Sequence, residues 1–152
     1  MLSLLAVARR VALELGPWLA FVDADLRQNR QMTTGRAMDW WKVLGAEAPS
    51  GLEGLWFGLV QLSDGGWHIY VAGTATFDAD DENADWAVGP YAWWPETPDR
   101  YFPFPQADTD SIEDALDAAA DFVRDLAPWA TMPVRGVATG FDAGDFRIVS
   151  IE

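Results

Sequence analysis

Two β-rich segments joined by a short polar turn are the feature that most constrains the fold of this chain. Residues 55–62 and 67–72 consist mainly of apolar side chains, many of them β-branched or aromatic, and residues 63–66 between them read Ser-Asp-Gly-Gly. Glycine adopts the positive φ that a tight hairpin turn needs, so the pattern predicts a β-hairpin. Because both segments are apolar on both faces, we expect central strands in a sheet that is covered on both sides.

Helical periodicity precedes this hairpin. Apolar residues recur at helical spacing, and Gly16 followed by Pro17 separates two helices. Thr34 is a suitable cap for a third helix, which Gly45 would close. We therefore expect residues 1–45 to form a helical N-terminal segment.

A further helix and a second hairpin are expected near the C-terminus. Apolar residues recur at helical spacing from Ile112 to Leu126, and Asp110 and Glu113 have the spacing of a capping box. Residues 134–141 and 146–151 alternate as strands do, and the turn between them contains Gly and Asp.

The order of these elements predicts an α+β fold: N-terminal helices, a mainly antiparallel β-sheet of about four to five strands, and one further helix before a C-terminal β-hairpin. The proline-rich segment, residues 78–106, holds five prolines among aromatic and acidic side chains, which excludes a long helix and allows at most short strands. The length of 152 residues predicts a single domain, 1–152, in which residues 50–152 carry the sheet, this segment, the last helix and the terminal hairpin.

The net charge of −14 is unevenly distributed along the chain. Residues 1–42 hold six basic and four acidic side chains, whereas the rest of the chain holds four basic and 20 acidic ones. Between Asp78 and Asp121, 13 carboxylates accompany a single basic residue, Arg100. Such a surface repels nucleic acids and anionic membranes, so we expect neither as a direct partner and consider a cationic protein instead.

Several kinds of catalytic or metal site are disfavoured by the residues available. The chain has no cysteine and one histidine, His68, so the usual transition-metal sites and thiol nucleophiles are not expected. Asp78, Asp80 and Glu82 stand at the first, third and fifth positions of a calcium loop, but the glycine and the final glutamate of that loop are missing. We therefore predict neither an enzyme nor a cofactor or metal.

The N-terminal residues also bear on localisation. The opening apolar run lacks a basic start and is interrupted by Arg9 and Arg10, which is atypical of a signal peptide. No uncharged stretch is long enough to cross a bilayer. We expect a cytoplasmic protein.

The order of motifs resembles that of small stand-alone immunity proteins from bacterial polymorphic toxin and type VI secretion systems. The motifs are GLWFGLVQLSDGGWHIYVAGT, FDADDENADW and RYFPFP, followed by a helix and GFDAGDF, and the resemblance covers about residues 50–152. It implies a protein that binds and neutralises a cognate toxin encoded beside it. Carboxylates presented to a basic nuclease cleft and aromatic anchors would suit that role. The expected partner-binding residues are Asp78, Asp80, Asp81, Glu82, Asp85, Tyr91, Trp93 and Trp94.

Two other functions are compatible with the sequence. A DNA mimic that inhibits a nucleic-acid enzyme would use the same acidic surface. A small carbohydrate-binding or hydrolytic domain would use the aromatic residues of the proline-rich segment to stack on sugars. Adjacent Trp93 and Trp94 are not expected to point inward together if their segment is extended, so at least one of them is a candidate exposed anchor.

Overall fold

The computed structural model describes residues 35–87, 89–126, 132–142 and 144–151, and every structural statement below concerns these residues. The chain divides between Arg36 and Ala37, and the fold described here is that of Ala37–Glu152. The helices predicted before residue 35 lie outside the described residues. The prediction of a single domain over residues 1–152 stays a prediction.

The strands are β1 (Gly54–Gln61), β2 (Trp67–Thr74), β3 (Phe102–Pro103), β4 (Gly136–Phe141) and β5 (Phe146–Ile151). Within the described residues they form one five-stranded sheet in the order β3-β2-β1-β4-β5. β1 with β2, β2 with β3, and β4 with β5 pair antiparallel, whereas β1 and β4 pair parallel. The sheet is therefore mixed but mainly antiparallel.

The first described helix, α1, covers residues 35–47 and continues past Gly45, where the sequence predicted its end. A glycine that ends a helix commonly adopts a left-handed conformation with positive φ. Gly45 does not have a positive φ, whereas Gly51, in the turn that follows the helix, does. The α+β class and the order of helices and strands that the sequence predicted are confirmed from this helix onward.

The N-cap of helix α2 (Ile112–Asp125) lies one residue later than predicted, at Ser111. The Ser111 hydroxyl, rather than Asp110, accepts a hydrogen bond of 3.2 Å from the backbone N–H of Asp114. Serine is as good an N-cap as aspartate, and the cap satisfies one of the free N–H groups of the first turn. Because α2 lies between β1 and β4 in the chain, it provides a crossover between these two parallel strands.

Alternating residues of the strands divide the core between the two faces of the sheet. On one face, here called the helical face, α1 and α2 pack on the sheet, and the rings of Trp41 and Phe57 lie 5.6 Å apart. The opposite face, here called the loop face, carries Trp56 and Tyr70 and is covered by the proline-rich segment. Apolar cover on both faces explains why β1 and β2 lack an alternating polar pattern. No helix in the described part of the chain is long and apolar enough to span a membrane.

Candidate partner-binding surface

The acidic loop, residues 78–85, is attached to the loop face by apolar side chains at its two ends. Phe77 and Trp86 are buried, and their rings meet edge to face with centroids 4.9 Å apart. Both rings occupy space left by glycines: a Cβ on Gly136 would lie within 3 Å of both rings, and a Cβ on Gly54 would lie within 3 Å of the Trp86 ring. The absence of side chains at these two strand positions therefore determines where the acidic loop is anchored.

Hydrogen bonds within the acidic loop hold its backbone in successive turns. Asp78 Oδ1 accepts from the N–H of Asp80 at 2.9 Å. The Asp81 carboxylate accepts from the N–H groups of Asn83, at 3.0 Å, and Asp85, at 2.7 Å. Short polar side chains commonly stabilise turns in this way. Asp81 thus has a structural role and is half-buried, whereas the carboxylates of Asp80 and Asp85 remain exposed.

All five expected acidic residues lie in this loop, and four of them are exposed: Asp78, Asp80, Glu82 and Asp85. Among the described residues, no basic side chain forms a salt bridge with the loop. The carboxylates of α2 differ, because Glu113 pairs with Arg147 of β5 and Asp121 pairs with Arg124 at 3.1 Å. Within the described part of the chain, no group of three or more acidic or histidine side chains is arranged to hold a metal ion.

The aromatic cluster, Tyr70, Tyr91, Trp94 and Tyr101, also lies on the loop face. The Trp94 ring is 5.0 Å from Tyr70 and 6.0 Å from Tyr91, with which it stacks at an interplanar angle of 28°. Tyr101 meets Tyr70 edge-on at 6.2 Å. The Arg100 guanidinium lies 5.7 Å from the Trp94 ring and 5.3 Å from the Tyr101 ring, within cation–π distance of both. The cluster therefore has aromatic and cationic support around an exposed indole.

A hydrogen-bond chain that runs from the buried Trp56 to the exposed Asp142 fixes the base of this cluster. Trp56 Nε1 donates to the Tyr70 hydroxyl at 3.2 Å, and that hydroxyl donates to Asp142 Oδ1 in the turn after β4. Burial and the bond to Asp142 raise the pKa of Tyr70 above its usual value. Burial likewise raises the pKa of the half-buried Tyr91. Both phenols therefore stay neutral at physiological pH and act as hydrogen-bonding and stacking groups.

Trp93 and Trp94 lie at the sheet edge beside β2 and face opposite ways. Trp93 forms an antiparallel bridge with Gly73, which makes this short stretch extended. The Trp93 side chain is 6% exposed and belongs to the core of the helical face, whereas Trp94 is 37% exposed on the loop face. The expectation of at least one exposed anchor fits Trp94. Trp93 packs in the core of the helical face instead, with only a small part of its surface exposed.

The acidic loop and the aromatic cluster occupy two positions along the same strand. Trp86 fills the space above Gly54, and Tyr70 fills the space above Gly58. Four strand residues span about 13 Å, so the anchors of the two features are about that distance apart on one face of the sheet. One partner surface of ordinary size is wide enough to contact both.

Sequence reasoning missed three residues that support this surface: the buried Tyr70, Arg100 and Asp142. Tyr70 was part of a predicted strand, and Gly58 opposite it was the available sign that a large ring needs room there. Asp142 stands in the turn predicted between residues 134–141 and 146–151, and nothing local indicates its bond to a tyrosine 72 positions earlier.

Comparisons with known proteins add no further evidence: no protein-family model, curated protein or solved structure matches this chain significantly.

Proposed function

We propose that this chain is an immunity protein, which acts in the cytoplasm of the producing cell by binding a cognate toxin, of nuclease type, and occluding its active site. The observation that carries the proposal is the shared position of the acidic loop and the aromatic cluster on the loop face. Exposed carboxylates without basic partners among the described residues accompany an indole that its neighbours hold in place.

Charge and aromatic support have separate roles in this proposal. The carboxylates of the acidic loop attract the basic cleft of a nuclease and accelerate association. Trp94 supplies the desolvated centre of the interface, a position in which tryptophan is often a binding hot spot. Because Tyr70 and Tyr91 already order its ring, Trp94 loses little rotational freedom on binding.

The direct test is to express the chain with the protein encoded by the neighbouring gene. We expect the two to co-purify, and we expect the chain to restore growth to cells that express the neighbour alone. A variant with Asp80→Asn and Glu82→Gln, in the acidic loop, should protect less well than wild type. The matched control, Asp114→Asn with Asp121→Asn on α2, removes the same charge from the helical side and should protect normally.

Failure to form a complex, together with failure to restore growth, would reject the proposal. A neighbouring gene from a phage or restriction system, whose nucleic-acid enzyme this chain inhibits, would instead indicate a DNA mimic. A change in tryptophan fluorescence on adding oligosaccharides, abolished by Trp94→Ala, would indicate a carbohydrate-binding domain.

A further inference from the structure

A groove runs between α1 and residues 92–103 of the proline-rich segment. It consists of two adjoining depressions of about 730 and 390 Å³, which share Thr97. Trp94 lines the first depression and Tyr101 the second, so the groove is continuous with the aromatic cluster. The groove therefore extends the loop-face surface toward α1, a helix that the sequence analysis did not include in the site.

The two walls of the groove are joined by specific contacts. Trp40 Nε1 on α1 donates to the backbone carbonyl of Asp99 at 2.9 Å. The N–H of Glu96 donates to Glu47 Oε2 at 3.1 Å. The rings of Trp40 and Phe102 lie 5.3 Å apart. These contacts set the width of the groove before any partner binds, which lowers the entropic cost of binding.

The lining of the groove combines negative charge with apolar surface. Carboxylates come from both walls: Asp39, Glu47, Glu96 and Asp99. Of the described residues that line the groove, none is basic, although the Arg100 guanidinium lies against the Trp94 and Tyr101 rings that border it. Val43, which is 55% exposed, lies on α1 between Asp39 and Glu47. These two carboxyl-bearing residues are eight positions apart on the helix, a distance of about 12 Å along its axis.

We propose that this groove receives two cationic side chains of the protein partner, lysines or arginines about 12 Å apart, while Val43 and Trp94 contact the apolar surface between them. The inference rests on the proposed immunity function and specifies the partner chemistry that the function requires. Charge complementarity identifies the occupant. The carboxylates on both walls suit the guanidinium or ammonium group of an arginine or lysine. The solvent-exposed valine suits the methylene groups of the same side chain.

The first test uses a peptide probe and the full chain. The peptide carries two arginines four residues apart, which places them about 13 Å apart when extended; in the matched control peptide, glutamines replace them. With the arginine peptide, but not with the glutamine control, we expect saturable NMR shifts of the Glu96 backbone amide and the Trp94 indole N–H. Glu47→Gln with Glu96→Gln should weaken this binding at least fivefold, whereas Asp114→Asn with Asp121→Asn on α2 should change it less than twofold.

The amide that replaces the Glu47 carboxylate in this variant retains an oxygen that can accept from the backbone N–H at position 96. We therefore expect the substituted chain to keep its fold, and a thermal melt tests this. Shifts confined to the acidic loop, no saturable shift in the groove, or equal weakening by the two pairs of substitutions would overturn the inference.

The second test replaces the peptide with the purified product of the neighbouring gene. We expect the substitutions at Glu47 and Glu96 to weaken this complex at least tenfold relative to the α2 control. An unchanged affinity would reject the groove as part of the interface but leave the immunity proposal intact. If the wild-type protein does not bind the neighbouring gene product, the immunity proposal fails. The peptide titration then decides by itself whether the groove binds paired cations.

Discussion

Trp93 and Trp94 are consecutive in the chain, yet Trp93 is buried in the core of the helical face and Trp94 is exposed on the loop face. We expect Trp93→Ala to lower the free energy of unfolding by about 3–5 kcal/mol, because it leaves a large cavity. Trp94→Ala should cost about 1 kcal/mol, through lost ring contacts, and should weaken partner binding at least about tenfold. Urea unfolding and calorimetric titration with the neighbouring gene product measure the two effects. Equal destabilisation by both substitutions would contradict the assignment.

Tyr70→Phe should destabilise the protein by about 1–3 kcal/mol, because the buried N–H of Trp56 loses its acceptor. Tyr101→Phe is the matched control: its ring contacts with Tyr70 and Arg100 remain, and we expect a change within about 0.5 kcal/mol. Chemical denaturation at neutral pH compares the two. A cost at Tyr101 as large as that at Tyr70 would show that the hydrogen-bond chain contributes no special stability.

The raised pKa of Tyr70 and of Tyr91 predicts a loss of stability in alkaline solution. Tyrosines of the unfolded chain release their protons near pH 10.0, whereas these two keep theirs in the folded state. The folded state then binds more protons, so the free energy of unfolding falls as the pH rises above about 10. Each retained proton contributes up to about 1.4 kcal/mol per pH unit. Urea unfolding at pH 9, 10 and 11 should show a shallower decline for Tyr70→Phe than for wild type, and identical slopes would refute the prediction.

Gly58 and Gly45 should respond oppositely to alanine. A Cβ on Gly58 would overlap the Tyr70 ring, whereas a Cβ on Gly45 of α1 meets nothing within 4 Å. We expect Gly58→Ala to destabilise the fold by at least about 2 kcal/mol, since the buried ring has to move. Gly45→Ala should stabilise it by up to about 1 kcal/mol, because alanine favours the helix. Thermal unfolding of both variants tests the pair, and a neutral Gly58→Ala would show that Tyr70 relocates without cost.

Association with the partner should depend on salt through the acidic loop. Field steering is screened over about 8 Å at physiological ionic strength. We therefore expect added salt to lower the association rate constant, with little change in the dissociation rate. Asp80→Asn with Glu82→Gln should reduce the association rate several-fold at low salt and flatten its salt dependence. Stopped-flow measurements over a salt series test this, and an effect as large from Asp114→Asn with Asp121→Asn would implicate the overall charge instead of the loop.

Local signals were sufficient to predict most of the described elements. The hairpin of β1 and β2, helix α2 and the hairpin of β4 and β5 lie within about two residues of their predicted bounds, because turn residues and apolar periodicity act over short distances. The exact cap was less predictable, since Ser111 and Asp110 are both good capping residues and tertiary context selects between them.

Contacts distant in sequence were not predictable from one chain. The parallel pairing of β1 with β4 depends on where α2 returns the chain, and no local pattern specifies it. The bond between Tyr70 and Asp142 and the one between Trp40 and Asp99 likewise join residues far apart in the chain. The sequence therefore indicates the acidic loop and Trp94 as separate candidates, whereas only the fold shows that they share a face and adjoin the groove.

The anchoring of the acidic loop by Phe77 and Trp86 has an evolutionary consequence. The buried rings and the turn hydrogen bonds to Asp78 and Asp81 determine the shape of the loop, whereas the side chains of Asp80 and Glu82 face solvent and contribute little to it. Exchanges at these outward positions leave folding almost unaffected while altering the charge pattern presented to a partner. The charge pattern of the loop can therefore change one surface residue at a time while the protein stays folded.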